Sequence, residues 1–163
     1  MCNDFGNSVP YSAYREAFSR IQAPVVLPIA APNLEPRDDI WPTETAPIFR
    51  RRERGVELAQ LRWGFPPPRP KGAPIINFRS EGRRFPKGRC LIPVSHFFEF
   101  TGSKSPKSKW KFTKVGEDWF CFAGLWRPFT IARWSSSTDR IGWHGSISPV
   151  RRRSCFARFR REA

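Results

Sequence analysis

The chain has no stretch near the roughly 20 consecutive apolar residues that a membrane-spanning helix needs. Its N-terminus also lacks the basic-then-apolar order of a secretory signal, so the expected location is the cytoplasm, with no membrane partner. Cysteine and histidine are scarce and scattered. Cys2, Cys90, Cys121 and Cys155 form no C-x-x-C pair, and the only histidines are His96 and His144. A structural zinc site draws on close pairs of such ligands, so no metal is expected. In a reducing compartment Cys90, Cys121 and Cys155 read as small buried hydrophobes or idle thiols. Acidic residues are few as well: 14 Asp and Glu against 29 Lys and Arg leave a formal charge of +15. That balance points to a polyanionic partner such as nucleic acid. Seven Trp and fifteen Phe exclude a disordered basic arm, which would be poor in aromatics.

The 163 residues suit one domain with a sizeable core. Tyr11 to Gln22 has helical spacing, with Ser12 as the expected N-cap and Pro24 ending the pattern. Ile48–Arg54 and Gly55–Gly64 read as two strands joined by a hairpin at Arg54–Gly55, and Pro66–Pro74 as a solvated loop. Arg89–Phe100 reads as two short buried strands or a bend between them, followed by strands at Trp110–Thr113 and Trp119–Trp126 around a turn at Val115–Asp118. The expected class is α+β, mostly antiparallel strands in a barrel-like mixed sheet with a few helices.

Composition changes after Trp126. Residues 127–163 carry nine arginines, no lysine and two acidic residues, for +7, while residues 1–126 carry +8. The expected organisation is therefore a domain over 1–126 and a basic, poorly ordered segment over 127–163. A shift of reading frame near Pro128 would produce such a composition.

Cys2 carries the first specific chemistry. Removal of Met1 would leave an N-terminal cysteine with a thiol and an α-amine on adjacent carbons. Such a 1,2-aminothiol condenses with an aldehyde to an imine, which the thiolate closes into a five-membered thiazolidine. An amine near pKa 8 and a thiol near 8.5 leave usable fractions of both nucleophiles at neutral pH.

Further blocks follow in order: Leu61-Arg62-Trp63-Gly64-Phe65, Asn77-Phe78-Arg79-Ser80-Glu81, Arg89-Cys90-Leu91-Ile92-Pro93 with Phe97-Phe98-Glu99-Phe100, and Phe122-Ala123-Gly124-Leu125-Trp126. With Met1-Cys2 these resemble the SOS response-associated peptidase (SRAP) family, abasic-site processing proteins whose strings are M-C-G-R, R-W-G-L, N-A-R-S-E, R-C-L-I-P-x-x-x-F-(F/Y)-E-W and A-G-L-W. The resemblance covers Met1 to about Trp126. It implies a single SRAP-like domain that removes its own Met1 and binds single-stranded DNA. Cys2 would then be the nucleophile that crosslinks to the aldehyde of an abasic site.

By the same resemblance, Asn77 would orient the amine and the sugar, and Glu99 would serve as acid/base carboxylate. A lone carboxylate in the apolar run Phe97–Phe100 should also be desolvated, which raises its pKa. Arg79 would hold a phosphate and Trp63 would present an exposed indole to an unpaired base, with Arg83 and Arg84 extending the DNA contacts. No cofactor is needed. The implied partner is single-stranded DNA with abasic sites, the implied place the nucleoid, and the expected state a monomer.

Two departures stand out. Asp4 replaces the family arginine after M-C-G, where a carboxylate would repel DNA. The family's I-H-x-R-M-P-like block, whose histidine helps ring opening, has no counterpart after Trp126. His144 lies in the wrong context to replace it, and His96 reads as a surface or bend histidine. The rival readings are a catalytically impaired nucleic-acid-binding remnant of the family and an N-terminal-nucleophile amidotransferase or hydrolase. The latter would need glutamine-binding blocks that are absent.

Overall fold

The computed structural model describes residues 3–23, 25–26, 34–53, 55–79, 81–105, 107–128, 130–135 and 159–162. In chain order its elements are β1 (Phe5–Asn7), α1 (Tyr11–Arg20), β2 (Val25–Val26), β3 (Arg37–Ile40), β4 (Thr45–Arg52), β5 (Gly55–Trp63), β6 (Asn77–Arg79), β7 (Arg89–Val94), β8 (His96–Thr101), β9 (Ser108–Lys114), β10 (Phe120–Arg127), β11 (Thr130–Ser135) and β12 (Phe159–Glu162).

The apolar alternation around Leu58, Leu61 and Trp63 becomes β5, which pairs antiparallel with β4 along its length. β4 then pairs with β7, β7 with β10, and β10 with β11. Because β11 also pairs in parallel with β5, these five strands close into a ring, flanked by β2 and β6. Closure hides the strand edges that a flat sheet would expose. The second sheet runs β12-β9-β8-β1-β3. The result is an α+β fold of mostly antiparallel strands with a barrel-like mixed sheet, as the sequence predicts.

Ile48, Trp63, Ile92, Phe122 and Ile131 fill the barrel with Phe5. In the Ala-Gly-Leu-Trp block, Gly124 lies opposite Cys90, and a Cβ there would come within 2.9 Å of the Cys90 Sγ. That close strand contact excludes any larger residue. A second cluster forms where α1 lays Tyr14 and Phe18, one helical turn apart, against Phe49 and Leu58. The helix starts one residue after Pro10, whose extended backbone (φ −70°, ψ 151°) occupies the cap position with no side-chain hydrogen bond. Ser12 is therefore not the N-cap but a residue of the first turn. The helix entry is anchored instead by Asn7, whose Nδ2 donates to the Pro93 carbonyl at 2.8 Å while its Oδ1 accepts from the Tyr14 hydroxyl at 2.9 Å.

The sheet continues beyond Trp126. β11 buries Ile131, Ala132 and Arg133 and supplies the strand that closes the barrel, so its residues are not poorly ordered as the composition of 127–163 suggests. Two apolar residues in an arginine-rich segment are enough for a six-residue strand, because pairing on both sides satisfies its backbone. β12 adds an edge strand to β9.

Charge is buried between β4 and β5. Arg50 and Glu57 face each other in register, and the guanidinium grips the carboxylate with Nε at 2.7 Å and Nη2 at 2.9 Å, while Arg52 adds a third contact. Arg50 also lies over the Trp126 ring at 4.3 Å. The hydrogen bonds from Arg50, then those from Arg52, hold the Glu57 carboxyl down at about 2 against the cost of its burial. Its contribution to stability is therefore present above the ordinary carboxylate range and is lost as pH falls toward 2. Removing one partner of a buried pair strands the other. Glu57→Gln should thus cost about 3–5 kcal/mol in urea unfolding at neutral pH. Arg52→Gln, at a side chain 49% exposed, should cost no more than about 1 kcal/mol.

Candidate functional site

Cys2, and with it any thiol or amine chemistry at the N-terminus, lies outside the described residues, as do Ser80, His144 and Cys155. What can be followed is the strand that leads from it. β1 is inserted between β8 and β3, with Phe5 opposite Phe97 on one side and Ile40 on the other. The Phe98 amide donates to the Asp4 carbonyl at 3.0 Å, so Asp4 extends the contact of β1 with β8 by one residue. Phe5 is almost fully buried, with its ring 4.9 Å from Trp63 and 6.0 Å from Phe122.

Trp63 is 1% exposed, and its indole Nε1 donates to the Ile76 carbonyl at 3.1 Å. It does not present a free face to a base as expected; its role is to seat Phe5. That same hydrogen bond ties Trp63 to the residue preceding Asn77. Asn77, at the start of β6, lies opposite Arg133 of β11, with its Oδ1 wholly inside the protein. Arg133, itself buried, sits 4.5 Å over the Phe122 ring and donates its amide to the Ile76 carbonyl. No sequence motif marks it, since it falls in the segment set apart by composition.

Glu99 is half-buried on β8, opposite Trp110 of β9. Alternation along the strand puts it on the face of Phe97, which packs on Phe122 at 5.5 Å. The strands carrying Asn77 and Glu99 therefore meet the aromatic cluster on which β1 docks. Arg79 ends β6 and is exposed, as are Arg83 and Arg84 in the following loop. These three guanidiniums face solvent and can reach phosphate.

Asp4 departs most from expectation. It is fully buried, and its Oδ2 lies 2.8 Å from the Lys109 Nζ, which also reaches the Asp39 Oδ1 at 2.7 Å. The carboxylate is neutralised inside the sheet rather than turned toward DNA. Burial pushes its pKa up to about 6, while Lys109 opposes the rise. For Asp39 the hydrogen bond from Lys109 dominates and lowers the pKa.

His96 is also buried, not a surface histidine. Its ring lies against Gly6, where a Cβ would fall 2.2 Å from the imidazole, and its Nε2–H donates to the Asp38 carbonyl at 2.9 Å. Burial lowers its pKa and keeps it neutral. Burial likewise pushes the thiols of Cys90 and Cys121 up to about 12, so neither is a nucleophile at neutral pH. Among the described residues no cluster of His, Cys, Asp and Glu could hold a metal ion, and no helix is long and apolar enough to cross a membrane.

The family model described as SOS response associated peptidase (SRAP) matches residues 1–146. A phage-related protein from Bordetella bronchiseptica has a similar solved structure, with TM-score 0.64, 22% identity, and coverage of 87% of this chain and 71% of that one. A second Bordetella bronchiseptica protein gives TM-score 0.60 at 21% identity, covering 85% and 74%. One from Bacteroides thetaiotaomicron gives 0.58 at 15%, covering 83% and 68%. At these identities the likeness is one of fold. None of the curated proteins matches the chain.

Asp4 generates a stability prediction of definite sign. Its folded pKa lies above its ordinary 3.8, so between about 4 and 6 the folded state holds a proton that the unfolded chain releases. Its effect on stability therefore becomes less favourable as pH rises through that window. Relative to wild type, Asp4→Asn should gain up to about 3 kcal/mol as pH rises from about 4 to about 7.5, a figure that already includes the opposing pull of Lys109. Urea midpoints of both proteins across that range measure it.

Proposed function

The chain belongs to the SOS response-associated peptidase family, and from that membership we propose that it crosslinks covalently to abasic sites in single-stranded DNA through Cys2. Membership itself supports a peptidase-like function in the response to DNA damage. The observation that carries the finer reading is the match of the family across residues 1–146 in a chain whose second residue is cysteine. The pairing of β1 with β8, the strand of Glu99, is consistent with it.

The chemistry starts with hydrolysis of the Met1–Cys2 peptide bond, which frees the α-amine. The amine adds to the C1′ aldehyde of the ring-opened abasic deoxyribose to give a carbinolamine. Loss of water, with Glu99 donating the proton to the departing oxygen, gives the imine. The Cys2 thiolate then adds to the imine carbon, and the nitrogen takes up a proton as the thiazolidine closes. No electrons are exchanged with an outside partner. Asn77 contributes by holding the amine and the sugar in register, since orientation of two reactants is itself worth several orders of magnitude in rate. Arg79, Arg83 and Arg84 hold the flanking phosphates. No I-H-x-R-M-P-like string follows Trp126, although the family match runs to residue 146, and the proton transfers are assigned to Glu99.

The test is an oligonucleotide carrying one uracil, treated with uracil glycosylase and incubated with the full chain. A denaturant-resistant adduct should form and be lost in Cys2→Ala. Glu99→Gln should slow its appearance by about 10²-fold or more, the usual contribution of a positioned acid. Folded wild-type protein, shown by mass spectrometry to lack Met1, that yields no adduct would overturn the assignment.

A further inference from the structure

We propose that the outer face of the five-stranded sheet, at the β8–β9 hairpin, is a second surface for single-stranded DNA: a base stacks on Trp41 while neighbouring phosphates lie along Lys104 and Lys107. The proposal shares its DNA partner with the function above but needs none of the covalent chemistry.

Trp41 follows β3 and is 41% exposed, the one exposed Phe or Trp among the described residues. Alternation along β8 turns Phe98 and Phe100 to the face opposite Glu99. Trp41 lies 6.5 Å from Phe100 with the ring planes 36° apart. Lys109 caps the group, with its Nζ 3.8 Å from the Phe98 centroid and 5.4 Å from that of Trp41. The patch is thus a layer of rings with a cation fixed among them.

The charge around it is what selects the occupant. Lys104, Lys107, Lys109, Lys111 and Lys114 are five of the chain's seven lysines, all within the β8–β9 hairpin and its second strand. Lys109 is committed to Asp4 and Asp39, and Glu44 to Arg37 at 2.9 Å, so the acids beside Trp41 already have cationic partners. Lys104 and Lys107 are exposed and have no carboxylate partner among the described residues.

Exposed rings beside uncommitted cations match what an unpaired strand offers, a π-face on every base and a charge on every phosphate. A protein partner would call for aliphatic contacts around Trp41, and the rings of this face are flanked by lysines instead. The geometry also connects with the N-terminus. Asp4 is bonded to Phe98, whose neighbour on the same face of β8 is Phe100, the residue that Trp41 approaches.

The measurement is anisotropy of a labelled oligo-dT without abasic sites, titrated with the full chain at several salt concentrations. Trp41→Ala should weaken binding about tenfold, within the range for loss of one stacked base, and Trp41→Phe should restore most of it. Lys104→Gln with Lys107→Gln should reduce the slope of log K against log salt by about 1.4, or about 0.7 for each phosphate no longer neutralised. Affinity within twofold of wild type in Trp41→Ala, with the salt slope unchanged in the lysine double variant, overturns the proposal. Adduct formation is scored separately. A wild type that binds intact oligo-dT through Trp41 yet forms no adduct keeps this surface and overturns the covalent assignment.

Discussion

The seating of Phe5 on Trp63 is the contact on which the rest of the site depends. A three-residue strand has little pairing of its own, and β1 is held because Phe5 enters the barrel cluster while β3 and β8 flank it. Trp63 can receive Phe5 because its own indole N–H is satisfied by Ile76; an unpaired N–H at 1% exposure would carry a desolvation cost of about 1–3 kcal/mol. The same bond fixes the residue before Asn77. One packing contact and one hydrogen bond therefore place the N-terminal strand, the Asn77 strand and the Glu99 strand around a common cluster. A three-residue strand near the N-terminus needs an anchor of this kind, because chain ends fray unless tied down.

Much of this architecture is legible in the sequence, and the failures share one cause. The β4–β5 hairpin and the consecutive strands β7 and β8, which go to different sheets, follow from local alternation and turn chemistry, which depend on a few neighbouring residues. Trp63 reads as a surface residue because stacking suits an indole, and only the three-dimensional path of β1 shows that Phe5 covers it. Asp4 reads as a charge that repels DNA, yet it is paired with a lysine 105 positions away in the chain. β11 is hidden by arginines, although Ile131 and Ala132 are the residues that the barrel needs. In each case a long-range contact decides what composition cannot. The roles of Cys2, Asn77 and Glu99 come from motif resemblance, and their chemistry is tied to that resemblance and to the experiments that probe it.

The net charge of +15 is a poor guide to the binding surface, because part of it is consumed inside the fold. Arg50 is spent on Glu57, Arg133 lies over Phe122, and Lys109 is held by two carboxylates. These cations stabilise strand pairings and are not free to meet phosphate. Two groups of exposed cations follow the strands of the site: Arg79, Arg83 and Arg84 at and beyond the end of β6, and Lys104 and Lys107 in the β8–β9 hairpin.

That division bears on the exchange of arginine for Asp4. A surface arginine at the start of β1 would add a cation where DNA is to be held. A buried aspartate does something different: it draws the exposed Lys109 of β9 to β1, an ion pair that offsets only part of the cost of burying the carboxylate. The cation is still next to the N-terminal strand, but it belongs to β9 and is fixed over Phe98. Positive charge for a nucleic acid is then left to other exposed cations, Arg79, Arg83 and Arg84 beyond β6 and the lysines farther along the hairpin. Around the face where Lys109 is held, the exposed cations without a carboxylate partner among the described residues are Lys104 and Lys107 of the hairpin, with the exposed Trp41 near Phe100.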